Sequence, residues 1–536
     1  MKYLFSLFFV FLIFNLSFSQ TFGWVKSGLG NDEIISRKII VAQNQDYIVG
    51  GEIKGSGTFG NSTINSLGNS DLFVCRYDSS GQLKWVNRYG GFEDDELGGI
   101  SETVGGRIMV CGTYEGNTTI DTVSLINVDG ENGFVAQFDS SGNVIWVINV
   151  ESSDEVGISG LYSSSSDSLI YIIGHFKDSL HIDSQSFVSF GDESFFVAAL
   201  DFYGSLIWLS EATSQDEVTP KSIFKSNNTI NITGEFEGNM LINGGVFSNS
   251  SDKDMFVAQY DAGGQFNWAK SVGGSDDVKG EVVVSDDSGN LYLTGNFKGD
   301  CIFLSDTLIN QGDKDGFLLK LDPNGNEVWV KQFSGSSDVV PIGMCLNSNS
   351  ELLITGRTES TAYFDSLSVT NNSGTDAFIC KYNSSGTVQW TKGVGGSSTV
   401  EGSAICVGAD NHPVVTGVFS GVSFFDTISL NGFNSYDFFI AKIYPGNVSS
   451  SNQDFSSNEN INFFAYPNPT KDFVYFNSPF DINKKCTVRL TDQKGASFKG
   501  IFIENNKMDI SSLADGIYFV EILDEQQSFR VKITKQ

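Results

Sequence analysis

Tryptophan occurs seven times in this chain, as Trp24, Trp85, Trp146, Trp208, Trp268, Trp329 and Trp390, at intervals of 61, 61, 62, 60, 61 and 61 residues. A phenylalanine keeps the same beat (Phe73, Phe134, Phe196, Phe256, Phe317, Phe378, Phe439), and so does a glycine (Gly51, Gly112, Gly174, Gly234, Gly295, Gly356, Gly417). Three residue types locked to one period mean tandem duplication of a supersecondary unit. Such a unit cannot bury its own apolar face and must stack on its neighbours.

The unit reads most clearly in Asp254–Ala269. Phe256, Ala258 and Tyr260 alternate as in a half-buried strand, Asp261-Ala-Gly-Gly supplies a tight turn, and Trp268 closes the next strand. In the fifth period four strand-like runs are legible: Val282–Ser285, Leu291–Thr294, Gly316–Leu321 and Glu327–Gln332. Asp286-Asp-Ser-Gly-Asn290 and Asp322-Pro-Asn-Gly-Asn326 are the turns between them. No stretch after residue 19 sustains helical periodicity. Four short antiparallel strands, repeated seven times, predict an all-β chain built as a seven-bladed β-propeller. A linear solenoid is the rival, but it requires polar capping repeats. The ends favour closure instead: Trp24 has a fourth strand without the three before it, and the last repeat stops at Tyr444 without its Trp strand. Phe22–Lys26 is therefore expected to complete the last blade, which removes two open sheet edges.

The formal net charge is −31. Residues 462–536 carry ten Lys+Arg against nine Asp+Glu, so the preceding body carries −32. So acidic a body argues against nucleic acid or an anionic surface as a partner. Phe is abundant, at 45, and its flat rings suit the gaps between twisted blades. The seven cysteines (Cys75, Cys111, Cys301, Cys345, Cys380, Cys406, Cys486) are odd in number and form no Cys-x-x-Cys, which points to buried thiols rather than a disulfide framework.

Met1-Lys2-Tyr3, the apolar run Leu4–Leu16 and the small residues Ser17 and Ser19 read as a secretory signal peptide over residues 1–19. After its cleavage no stretch is long and apolar enough to span a bilayer as a helix. Residues 20–445 form the expected propeller. Its repeat resembles the SBBP-type β-propeller repeat of secreted bacterial proteins. Gly289-Asn-Leu-Tyr-Leu-Thr-Gly295 and Asp254–Asp261 with Trp268 carry the resemblance, which specifies fold rather than chemistry.

Gly55-Ser-Gly57-Thr-Phe-Gly60 has the spacing of a dinucleotide fingerprint, but a strand–loop pattern follows it where a helix is needed. The three histidines are scattered: His175 and His181 near Asp178 in the third repeat, His412 in the seventh. Surface or loop positions are expected for them. There is no His-Glu-x-x-His, Gly-x-Ser-x-Gly or phosphate loop.

Acidic residues follow each Trp strand except the last: Asp32, Asp94, Asp154, Asp216, Asp276 and Asp338. They are the candidate metal ligands, as a rim of carboxylates for Ca²⁺. The simpler reading is a solvated turn whose carboxylate bonds its own backbone, and it is preferred because neighbouring blades hold equivalent groups far apart. No catalytic or cofactor-binding residue stands out, although Asp94 and Glu96 have the chemistry for acid–base work. Asp-Ser/Thr-apolar recurs at Asp121, Asp306, Asp365 and Asp426. It resembles a bacterial O-glycosylation sequon, and a plain turn entering a strand is again preferred.

Past Tyr444 the texture changes. Residues 446–461 are Ser/Asn-rich and read as a linker, and residues 462–536 as a small C-terminal β-sandwich. Phe464-Ala-Tyr-Pro-Asn-Pro-Thr470, Asp492-Gln-Lys-Gly495, and Met508-Asp-Ile-Ser-Ser-Leu with Gly516-Ile-Tyr518 resemble the type A C-terminal sorting domain of the bacterial type IX secretion system. The resemblance implies the type IX secretion machinery as partner and a secreted or cell-surface location. The expected role is a binding or scaffold module for extracellular polysaccharide or a surface protein. The alternative is a propeller-based glycan lyase or hydrolase, whose active site should show as a deep pocket lined by residues that break the repeat.

Overall fold

A computed structural model describes residues 20–445, apart from short gaps at 128–129, 165–166, 190, 250–251, 304, 372–373 and 434, together with strand segments between 464 and 535. The proposed signal peptide, the linker, Cys486 and most of Tyr-Pro-Asn-Pro lie outside the described residues. The chain divides into two units, Met1–Val448 and Ser449–Gln536.

The first unit is all-β. Among the described residues its strands pair antiparallel into seven sets of four, and the fifth is representative: Val278–Ser285, Leu291–Phe297, Asp315–Leu321 and Glu327–Ser334. The first strand of every set packs beside that of the next, and the first of these, Ile34–Val41, touches both Asp95–Glu102 and Val400–Val407. A propeller-like ring results, with these seven strands innermost.

The N-terminal strand Gln20–Gly30 lies against Asp437–Pro445, with Phe22 opposite Ile443, Trp24 opposite Lys442 and Gly28 opposite Phe438. It is the fourth strand of the last set. Its far end continues onto the first set, Gly28 opposite Phe59. The Gly30 amide donates to the buried Asp437 carboxylate at 2.7 Å, and Lys442 reaches Tyr47 Oη at 2.9 Å.

Each beat of the repeat has a physical cause. The tryptophan is a latch between neighbours: Trp208 Nε1 donates to Ala262 O (3.2 Å) in the next set's turn. Gly264 in that turn takes φ of +84°, and a Cβ there would sit 2.7 Å from the Trp208 ring. The Trp24 ring packs likewise against Gly81 of the first set, but its buried indole Nε1 makes no hydrogen bond. The turn aspartate Asp261 accepts from the amides of Gly263 and Gln265, both at 2.9 Å.

The repeating glycine answers a β-bulge. In every innermost strand the register slips by one residue, as between Gly280 and Val282. The slip drives a carbonyl into the space a side chain would fill on the facing strand. A Cβ on Gly295 would lie 1.9 Å from Lys279 O and 2.9 Å from the Phe317 ring. The neighbouring Thr294 hydroxyl donates to Phe317 O at 2.7 Å. The bulge explains why the alternation began late in the first run: that strand starts at Val278, four residues before the pattern becomes regular.

The sequence reading did not foresee a small hairpin between the second and third strands of most repeats. It pairs with the fourth strand of the preceding set, as Ser179–Ile182 does with Val144–Ser152. The recurrent Asp-Ser/Thr-apolar tripeptides sit at the tips of these hairpins. Asp121, Asp365 and Asp426 take φ of 54°, 51° and 56° there, which accounts for aspartate on turn grounds. The glycine-rich Gly55–Gly60 also lies in a hairpin, Tyr47–Phe59 with Ser62–Tyr77, and opens no helix.

In the second unit the described strands form two four-stranded sheets. Val474, Leu490, Met508, Ile510, Val520 and Ile533 are buried there.

Candidate functional site

The innermost strands enclose a cavity of about 630 Å³ to which all seven contribute. The bulges shape its wall, because a bulge re-aims side chains. The bulged residues Arg37, Ser159, Lys221, Glu281 and Ser403 all line it. The constant glycines and phenylalanines lie behind this wall, and the residues facing the cavity differ from repeat to repeat. None of the lining residues is Phe, Tyr or Trp.

The charged lining is ordered by pairs. Arg37 Nε meets Glu52 at 2.7 Å; Lys221 Nζ meets Glu281 at 3.1 Å and Glu235 at 3.2 Å; Arg357 stands 4.0 Å from Glu401. Burial pulls the Lys221 pKa down, but Glu281 and Glu235 outweigh it and the net shift is upward.

One side of the wall is chemically distinct. His175 follows Gly174 on the strand Ile170–Phe176, opposite Gly157. Gly157 leaves room for the imidazole: a Cβ there would lie 2.4 Å from its Cε1. His175 Nε2 is 3.7 Å from Glu155 Oε1, and Lys177 Nζ is 2.5 Å from Glu155 Oε2. His175 and Lys177 hold the Glu155 carboxyl down at about 2 against the opposing effect of burial. Glu131 responds the other way: burial, then the charges of Glu155 and Glu96, push it up to about 7. Burial pulls His175 down, yet Glu155, Glu193 and Glu131 outweigh it and leave it raised. Three cavity-lining groups thus differ in proton affinity: Glu131 is raised, Glu155 is lowered and His175 is raised.

His175 departs from the expected surface placement. It sits on a strand with 19 % of its side chain exposed, because glycine on the facing strand opens the space. His181 does lie exposed, on the hairpin, between Ser179 and Ser186. His412 contacts Asp410 at 3.1 Å.

The six aspartates proposed as cation ligands occupy the turns into the innermost strands, half-buried at Asp32, Asp94 and Asp276, exposed at Asp154 and Asp216, and buried at Asp338. They are not one structural position. The turn carbonyl that accepts from the far end of the second strand belongs to Glu33, Asp94, Glu155, Glu217, Asp277 and Asp338. Asp94 and Asp338 thus sit one residue out of step with the other four. Only Asp276 joins a carboxylate group among the described residues, with Asp252 and Asp277. Lys298 lies 3.7 Å from Asp276, and Asp338 is held between Lys314 (3.8 Å) and Arg357 (3.6 Å). Asp94 and Glu96 face a smaller groove of about 200 Å³ with Arg37 and Glu52, and Glu96 also reaches the central cavity.

Sequence reasoning named His175, Glu96 and Asp154, the neighbour of Glu155, but missed Arg37, Lys38, Glu131, Lys221, Glu281 and Glu401. Part of the signal was present: laid over one another, the repeats put Arg37, Lys221 and Glu281 in one slot, 13 to 15 residues before the invariant glycine, where other repeats carry Gly98, Ser159, Ile342 and Ser403.

The fold and cavity define an all-β, propeller-like body that carries a separate export module. Residues 465–536 match the family model described as a secretion system C-terminal sorting domain. That domain marks proteins exported by the type IX system to the cell surface or extracellular space and implies contact with its machinery. An uncharacterized WD repeat-containing protein of Acanthamoeba polyphaga mimivirus is 20% identical over 472 residues, covering 71% of this chain; the chain spans 34% of that protein's length. Among solved structures, a protein of unknown function from Bacteroides caccae is 11% identical (TM-score 0.32; 64% of this chain, 93% of that one). The Pan2 WD40 domain of Neurospora crassa is 10% identical (TM-score 0.31; 62% and 94%). Among the described residues no helix is long and apolar enough to cross a membrane.

Proposed function

We propose that this is a seven-bladed propeller of SBBP-type repeats, displayed on or released from the cell surface, that binds an extracellular glycan in its central cavity. The observation that carries the reading is the break in the repeat. Packing residues keep their period, whereas the cavity wall changes from repeat to repeat and mixes charged with apolar side chains. A volume of about 630 Å³ suits a small ligand or one or two sugar units. Arg37, Lys38, Lys221 and His175 share the cavity with five glutamates, Glu96, Glu131, Glu155, Glu281 and Glu401, a mixed lining that favours a neutral polyhydroxylated ligand over a polyanion. Without Phe, Tyr or Trp in the lining, recognition runs through hydrogen bonds.

A glycan array probed with the secreted protein tests this. Glu155→Gln and Lys221→Met should each weaken binding of the selected glycan by about 10-fold or more, as loss of a charged hydrogen-bond partner does. Unchanged binding by both variants would place the ligand elsewhere. The second reading, a glycan-cleaving enzyme, is favoured by one observation: Glu131 near 7 and Glu155 near 2 are the acid and the ionised carboxylate such chemistry needs. Reducing-sugar release from the bound glycan, abolished by Glu131→Gln, would select it.

A further inference from the structure

One carboxylate breaks the repeat away from the cavity. The innermost strands open on a buried Ile34, Val156, Val218, Val278, Val339 or Val400, but that of the second set opens on Asp95, which is equally buried. Asp95 Oδ2 accepts from the Gly91 amide at 2.8 Å. In other repeats the amide at that place serves the side chain that opens the third strand: Gly30 donates to Asp437 at 2.7 Å, Ser152 to Asn132 at 3.2 Å and Gly335 to Asp315 at 3.3 Å. Asp95 thus takes the donor that would otherwise serve Asp71. Asp71 Oδ2 keeps the Leu67 amide (2.6 Å) and Arg88 (3.1 Å), but Asp71 Oδ1 and Asp95 Oδ1 are buried without a hydrogen-bond partner among the described residues. The two carboxylates converge at Gly90, where a Cβ would lie 2.3 Å from Asp71 Oδ1 and 2.7 Å from Asp95 Oδ2.

A third oxygen joins them. Thr118 is 2 % exposed and lies beside Asp95, and its Oγ1 is likewise buried without a hydrogen-bond partner. In other repeats Leu180, Met240 or Cys301 fills its place. Its hairpin, Thr118–Ile120 with Val123–Leu125, forms a two-stranded sheet of its own, where Ser179–Ile182 pairs with the preceding fourth strand. Charge decides what the three oxygens hold. Arg88 offsets one of the two carboxylates, so a divalent ion would leave a buried excess of positive charge. A proton shared by the carboxylates would leave the Thr118 hydroxyl unserved. Burial, with the charge of Asp71 added, pushes Asp95 up to about 7, a repulsion that a cation between the two relieves.

We propose that Asp71, Asp95 and Thr118 bind a sodium ion at the junction of the first and second sets. Carboxylate and hydroxyl oxygens are the donors a hard cation takes, and the ion ties the Thr118 hairpin to the set before it. None of the three residues lines the central cavity, so the site is independent of the glycan-binding reading.

The test is calorimetry of the full exported chain, freed of sodium, at about pH 8 in sodium chloride or choline chloride of about 0.15 M. The parent should melt about 1–2 °C higher in sodium. Asp95→Val, which installs the residue of the other repeats, should abolish that difference, and Thr118→Val should reduce it. An equal difference in the parent and in Asp95→Val would be a general salt effect and would overturn the proposal. A parent that melts alike in both salts would also overturn it and would assign the carboxylates to a shared proton.

Discussion

Replacing Gly295 by alanine should damage both stability and site, and the size of the effect follows from two distances. A Cβ at Gly295 would stand 1.9 Å from Lys279 O and 2.9 Å from Phe317 Cε1. The ring could rotate, but the carbonyl belongs to the bulged strand and can withdraw only if the bulge is flattened. Overpacking of this kind costs typically 1–3 kcal/mol, and with backbone as the obstacle about 3 kcal/mol is expected. For a unit of some 430 residues that corresponds to a fall in Tm of about 3 °C. Glu281 is the bulged residue, so flattening also takes it from Lys221, now 3.1 Å away. Gly245→Ala is the control: the nearest atoms to its Cβ lie at 3.4 and 3.7 Å, and its cost should stay within about 0.5 kcal/mol. Calorimetry on the three proteins decides. Equal melting of Gly295→Ala and the parent would refute the claim that the repeating glycine exists to admit the bulge.

Further outcomes concern charge. Glu131 has a folded pKa raised to about 7, so its contribution to stability is full below its unfolded value near 4.3 and lost as pH rises through 7. Glu131→Gln should therefore gain about 1–2 °C in Tm on the parent between about pH 5 and about pH 8; a constant difference would contradict the shift. Glu155, held at about 2, contributes above its unfolded value and loses that contribution as pH falls toward 2. The stability deficit of Glu155→Gln should accordingly shrink below about pH 4. Chelation of divalent cations should leave Tm unchanged within about 1 °C, since lysines lie beside Asp276 and Asp338. A fall of several degrees would reinstate the acidic turns as cation sites.

The architecture was legible because packing repeats and chemistry does not. Trp208 on Gly264, Gly295 under Phe317 and Asp261 in its turn each solve one steric problem in the same way in nearly every repeat, so their period survives in the sequence. The bulge hid from the alternation pattern because one extra residue throws the period of two out of phase. With it were hidden the residues it aims inward, Arg37, Lys221 and Glu281. The hairpins between second and third strands were too short and too polar to register as strands; only the aspartates at their tips left a trace. His175 was noticed for its rarity, but its place in the cavity depends on Gly157 of the facing strand, a pairing that no local pattern reveals. The aspartates after each Trp strand looked like one ring because adjacent acidic residues were aligned a position apart.

Hydrogen exchange of the segment Phe438–Tyr444, compared between the full chain and one lacking residues 20–30, tests the closed ring most directly. The account predicts that in the full chain these amides are protected as well as those of Phe317–Leu321 in an interior strand, and that the deletion exposes those facing the lost strand. Protection of Phe438–Tyr444 that is weak in the full chain, or unaltered by the deletion, would contradict closure by the N-terminal strand and, with it, the enclosed cavity.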